Sequence, residues 1–166
     1  MHNIFILVFL LIFTSSYSFY NDNIFTAKVT KVIDGNTLEI LTESNETFEV
    51  MFKDVDSPEL GQLFGDEAKE FTKKLLLKKK VTVEMKGKDM WGNRLAGITL
   101  KNGNNAEVEL LKAGYAWHNI LKSTNNELPV IEQNSKEKRI GLWASDNPTA
   151  PWVYRRKQSM SIAKSR

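Results

Sequence analysis

A chain of 166 residues, 42% hydrophobic and 26% charged, has the size and composition of one globular domain. It has no cysteine and two histidines, His2 and His118. Disulfides, thiolate catalysis and cysteine metal sites are therefore excluded; if residues 1–18 are removed, His118 alone remains and any metal must be held by oxygen ligands. The formal charge of +3 suits an anionic partner such as nucleic acid.

The chain opens on an unbroken apolar run, residues 4–13, followed by Thr14, Ser15, Ser16 and Ser18. The run is too short to span a bilayer comfortably and has the length of a signal-peptide core, with Ser16-Tyr17-Ser18 as a small-x-small cleavage site. We read residues 1–18 as a signal peptide, 19–154 as the folded domain and 155–166 as a basic mobile tail. That reading makes the protein secreted or periplasmic, with no stable membrane association once cleaved; an uncleaved anchor is the competing reading.

Period-two alternation follows. Phe25, Ala27 and Val29 alternate with Thr26, Lys28 and Thr30; Leu38 and Ile40 flank Glu39; Phe48, Val50 and Phe52 alternate with Glu49, Met51 and Lys53. One apolar face on each segment predicts half-buried antiparallel strands, with turns at Gly35-Asn36 and Ser44-Asn45. Gly65, Asp66 and Glu67 open a helix predicted over 66–77, with Ala68, Phe71 and Leu75 on one face. Strands over 81–86 and 94–100 follow, joined through the loop from Asp89 to Asn93. Helices over 105–113 and 126–140 stop at Gly114 and Gly141, and Pro129 is tolerated in the first turn of the second. Five strands with few helices are an α+β pattern dominated by β, and the pattern alone leaves several topologies open.

Four segments carry more specific information: Val32-Ile33-Asp34-Gly35-Asn36-Thr37, Val55-Asp56-Ser57-Pro58-Glu59, Asp89-Met90-Trp91-Gly92-Asn93-Arg94 and Gly141-Leu142-Trp143, with Pro151-Trp152 after them. In this order and spacing, the chain resembles the thermonuclease (staphylococcal nuclease-like) family over about residues 25–155. The resemblance implies a five-stranded OB-fold barrel with three helices. It also implies calcium-dependent endonucleolytic cleavage of DNA or RNA, single strands in particular, by a monomer. By position, Asp56 and Asn36 would hold Ca2+, Ser57 would add its carbonyl and Asp34 would stand behind them. Glu59 would orient and deprotonate water. Asp89 and Trp91 would hold their loop, and Trp143 and Trp152 would pack the C-terminal helix onto the barrel.

The match is partial where charge matters most. Asn36 stands where the family has a second metal-binding acid; an amide oxygen can ligate calcium but brings no charge. Met51 and Asn93 stand where the family has two arginines, and neither offers a charged fork to phosphate. Losing one preorganised donor to the transition state costs on the order of 3 kcal/mol, roughly a hundredfold or more in rate. Two side chains are candidates to supply the missing cation: Lys53, two residues from Met51 on the same strand face, and Arg94, which would need a bulge to re-aim it. Met51 is either an ordinary exposed methionine or an apolar lining in a former phosphate pocket. Lys86, Lys88 and Tyr115 are candidates for substrate contacts, while the lysines from Lys73 to Lys80 read as a solvated face and His118 as a packing residue.

The expected function is thus an exported, impaired calcium-dependent nuclease. The alternative is an inactive module of the same shape that binds nucleic acid or a protein partner.

Overall fold

The computed structural model describes residues 23–121 and 123–164. The signal-peptide reading of residues 1–18 lies outside them. Seven strands are present among the described residues: β1 Ile24–Val32, β2 Thr37–Thr42, β3 Thr47–Phe52, β4 Val55–Asp56, β5 Lys80–Lys88, β6 Arg94–Leu100 and β7 Trp117–His118. Four α-helices accompany them: α1 Gly65–Leu76, α2 Ala106–Lys112, α3 Leu128–Glu137 and α4 Pro151–Lys164, with a 3-10 turn at Gly141–Ala144.

Five strands close into a barrel in the order β1-β2-β3-β6-β5, and β4 and β7 form a separate two-stranded pair. All neighbours in the barrel are antiparallel except β3 and β6, which run parallel and complete the closure through Met51 opposite Leu95 and Phe52 opposite Ala96. The alternation behaves as expected on β3, where Val50 and Phe52 are buried and Glu49 is exposed. On β1 it breaks: Ala27 and Val29 point inward, and so does Val32, an odd number of residues further on. The cause is a bulge between Val29 and Lys31, which inserts one residue and turns the strand's next apolar side chain to the core.

The core is Leu38, Ile40, Val50, Val83, Ile98, Leu110 and Leu111, all fully buried, with α2 laid against it. Asn105 caps α2 by accepting the Val108 N–H at 3.0 Å.

The expected helix over 126–140 is shorter than its pattern suggested. Its regular part is Leu128–Glu137, capped at Glu127 rather than Asn126, and its end unwinds through Arg139, whose φ is 53°. A larger departure concerns the expected tail. Residues from Pro151 to Lys164 are helical, which adds a fourth helix to the three implied. Pro151 sits at the position where a missing N–H costs nothing, and no glycine or proline follows it through Lys164. Its first turn is docked: Pro151 is buried, and Tyr154 donates its hydroxyl to the Gly61 carbonyl at 3.2 Å.

Candidate active site

The site is built from short-range hydrogen bonds that hold two loops together at one end of the barrel. Asp34 Oδ1 accepts the Asn36 N–H at 2.9 Å, closing the β1–β2 turn on itself. Gly35 is required there, since a Cβ would lie 2.5 Å from Ser57 Cβ. The Gly35 carbonyl accepts from the buried Thr72 hydroxyl of α1 at 2.7 Å, and Asn36 Oδ1 accepts the Ser57 N–H at 3.3 Å. The β1–β2 turn, the loop after β4 and helix α1 are thereby fastened to each other. Asp56 ends β4, paired with Trp117 of β7. Glu59 is held through its N–H, which Gln62 Oε1 accepts at 3.0 Å.

A groove of about 500 Å³ opens beside these loops. Asn36, Asp56, Met51 and Asn93 line it. Trp91, Ile120, Leu121 and Trp152 form an apolar rim, much of it exposed. Met51 therefore belongs to the groove wall rather than to an open surface. Trp91 departs from its expected role. The Asp89 carboxylate holds the loop together with its backbone bonds, its Oδ1 accepting the Trp91 and Asn93 N–H groups at 3.0 and 2.9 Å and its Oδ2 accepting the Asn93 amide at 3.0 Å. The Trp91 ring, 74% exposed, is left facing the groove. Trp152 also lines the groove; its ring meets Trp117 edge-on at 6.5 Å, while Trp143 packs deeper against Trp117 at 5.1 Å.

Neither candidate for the missing cation lines the groove. The Arg94 guanidinium lies 4.7 Å from the centre of the Phe48 ring, a cation–π contact with a residue packed against the core. The bulge that would have re-aimed it is present, but on the partner strand β5, between Met85 and Gly87. Lys53 follows the last residue of β3, with its ammonium 4.0 Å from Asp54. The substrate-contact candidates lie elsewhere as well. Lys86 pairs with Glu84, Lys88 is exposed opposite Arg94 on β5, and Tyr115 tilts against Phe71 at 5.4 Å as part of the packing around the core.

Arg155 is the residue that sequence reasoning missed. From the start of the second turn of α4 it donates Nη2 to Asp56 Oδ2 at 2.7 Å, and Nη1 to Asp56 Oδ1 at 3.2 Å and to Glu59 Oε1 at 2.5 Å. The hydrogen bonds and charge of Asp56, with a smaller share from Glu59, push the guanidinium above its already high ordinary value, so it is charged at every working pH. The available signal was Pro151 as a helix start, which places a basic residue one turn later.

The resemblance implies a divalent cation, and the chemistry of the donors can be tested against it. Asp56 carboxylate, Asn36 amide and Ser57 carbonyl are all hard oxygens, and the buried Ser57 Oγ makes no hydrogen bond. Such a set suits calcium in kind. Among the described residues no three acids or histidines converge, so the set brings one carboxylate charge. Both oxygens of that carboxylate are engaged by Arg155.

A second acid lies behind β4. Glu107 of α2 is 2% exposed and accepts the Asp54 N–H at 2.9 Å. Burial pushes its carboxyl from an ordinary 4.5 up to about 7, against the lowering effect of that bond and of Asn105. Between these values the folded protein keeps a proton that the unfolded chain has released. Stability is therefore expected to fall as pH rises through this window, by on the order of 3 kcal/mol. Urea midpoints measured from pH 4.5 to 8 should show this slope in the wild type and a flatter line in Glu107→Gln; equal slopes would remove Glu107 as the cause.

The family model of staphylococcal nuclease homologues matches residues 49–145. Among similar proteins, an uncharacterized endonuclease of Haemophilus influenzae is 34% identical over 138 residues, covering 83% of this chain and 77% of its own length. An uncharacterized endonuclease of Escherichia coli O157:H7 is 29% identical over 131 residues, covering 79% of this chain and 85% of its own. A micrococcal nuclease of Shigella flexneri is 30% identical over 142 residues, covering 80% and 81%. With the closed barrel, the acid-bearing loops and these relatives in agreement, the chain belongs to the staphylococcal nuclease homologue family and is a nuclease-like protein.

Proposed function

We propose that the protein is an exported, calcium-dependent endonuclease that hydrolyses phosphodiester bonds of single-stranded DNA or RNA lying in the groove beside Asp56. The observation that carries this reading is the convergence of Asp56, Glu59 and Arg155 at the edge of a groove rimmed by Trp91 and Trp152. Aromatic rims of this kind suit unstacked bases, which a duplex does not present. Export rests on the apolar run at residues 4–13.

Calcium, held by Asp56, Asn36 and the Ser57 carbonyl, would supply positive charge against the phosphate when bound. Glu59, one-third exposed, takes a proton from water. The water oxygen then forms a bond to phosphorus while the bond to a sugar oxygen breaks, and that oxygen is protonated by solvent. The neutral Met51 and Asn93 contribute nothing to the developing charge, and Asn36 weakens the metal site. Turnover should accordingly be slow for a site of this kind.

A second reading is a module that binds nucleic acid without cutting it. It is favoured by one observation: both acids are already paired with Arg155. Incubation of the purified domain with single-stranded DNA and RNA, in calcium, magnesium or chelator and beside Asp56→Ala, separates the two. Calcium-dependent cleavage lost in the variant is the expected result. Salt-sensitive binding with no cleavage in any metal would replace the enzyme by the module.

A further inference from the structure

A phosphate in this groove needs a cation, and among the described residues that line it Arg155 is the only one. The two positions that would otherwise supply one, Met51 and Asn93, line the same groove and are neutral. Arg155 comes from α4, beyond the segment 49–145 that the family model covers. The turn before it is anchored twice, by the buried Pro151 and by the Tyr154 hydroxyl on Gly61, so the guanidinium is delivered by a docked element. The side chain is 46% exposed, and its bonds to Asp56 and Glu59 use only the Nη1 and Nη2 groups.

We propose that Arg155 is the phosphate-binding arginine of this groove, supplied by the C-terminal helix in place of the two that the barrel strands lack. The physical basis is the likeness of its present partner to its intended one. A carboxylate and a phosphate both offer paired oxygens at the spacing of a guanidinium fork, so an arginine seated bidentately on Asp56 is shaped for either. In the resting site the two acids hold the fork in position. A backbone phosphate entering past Met51 and Asn93 meets its remaining N–H groups and competes for the rest. A bland alternative makes Arg155 a counter-ion that fastens α4 to the loop after β4.

The proposal rests on the nuclease reading for the reaction that Arg155 serves, and its test is made on binding so that the two can fail separately. Anisotropy of a short labelled single-stranded oligonucleotide would be measured in chelator and in calcium, across a salt series, with thermal melts of every variant. Arg155→Ala is expected to weaken binding by about tenfold or more and to flatten the salt dependence by roughly 0.7 in log K against log salt. Arg155→Lys keeps the charge and the anchoring ion pair without the fork; it should melt like the wild type and still bind several-fold more weakly.

Arg155→Ala/Met51→Arg, which returns a guanidinium to the groove from β3, should recover binding to within a few-fold. A residue that only fastens α4 would give no such recovery, because Met51 cannot reattach the helix. Wild-type affinity in both Arg155→Ala and Arg155→Lys, or no recovery on adding Met51→Arg, overturns the proposal. Arg155-dependent binding without any cleavage would sink the nuclease reading and leave this one standing. Calcium-dependent cleavage indifferent to Arg155 would do the reverse, and a wild type that neither binds nor cleaves would remove both.

Discussion

Glu59→Gln is expected to lower single-turnover cleavage by about 10²–10⁴-fold while leaving oligonucleotide affinity within a few-fold. The substitution is nearly isosteric. The amide oxygen can still accept from Arg155 Nη1, which now sits 2.5 Å from Glu59 Oε1. The loop is held from behind through the Glu59 N–H on Gln62, and the Gln62 amide is in turn bound to the Thr149 carbonyl. Neither bond involves the carboxylate. What disappears is the capacity to take a proton from water, a role that acts in the transition state rather than in binding. The measurement is the rate constant at saturating enzyme in calcium, with affinity read in parallel. A rate within tenfold of the wild type would mean that another group, or bulk solvent, removes the proton.

Gly114→Ala is expected to destabilise the fold by about 2–4 kcal/mol and to lower the melting temperature by about 10 °C. Gly114 ends α2 with φ +67°, and a Cβ there would lie 2.2 Å from the Ile140 carbonyl oxygen. Gly141 faces it with φ +58° and its own Cβ position 2.4 Å from the Gly114 carbonyl oxygen. The two backbones touch, and the Leu142 N–H donates to Gly114 at 2.9 Å across the contact. The obstacle is main chain on both sides, so no rotamer change can relieve it. The damage should spread to the site, because this contact places Trp143 against Trp117, and Trp117 is the strand partner of Asp56. Urea titration of the purified variant checks the value; a loss under about 0.5 kcal/mol would show that the α2 end can move away.

Much of the barrel was legible because its signals are local. Alternation at Phe48–Phe52 and the glycine stop at 114 depend on neighbours along the chain, and they hold in the structure; the helix expected to run to 140 ends at Glu137, ahead of Gly141. The inward turn of Val32 was not legible, since a bulge is a property of two paired strands and leaves no mark on one of them. Trp91 shows the same limit from the other side. The motif around it identifies the loop, but the Asp89 carboxylate and backbone bonds close that loop without the Trp91 ring, which is released to the groove.

By itself the sequence determined a β-rich domain and the position of the acids on two loops, which follow from residue type and spacing. The closed barrel and the loss of charge at Asn36, Met51 and Asn93 are legible only through the resemblance to the thermonuclease family. Only the tertiary structure decided where a replacement cation comes from. Lys53 and Arg94 are near the vacated positions in sequence, yet the end of β3 carries one to Asp54 and the pleat of β6 turns the other onto Phe48. Arg155 is 99 residues from Asp56 along the chain and bonded to it in space. That pairing exists because the start of α4 docks on the loop after β4, and nothing in the local pattern around Arg155 records which acids it will meet.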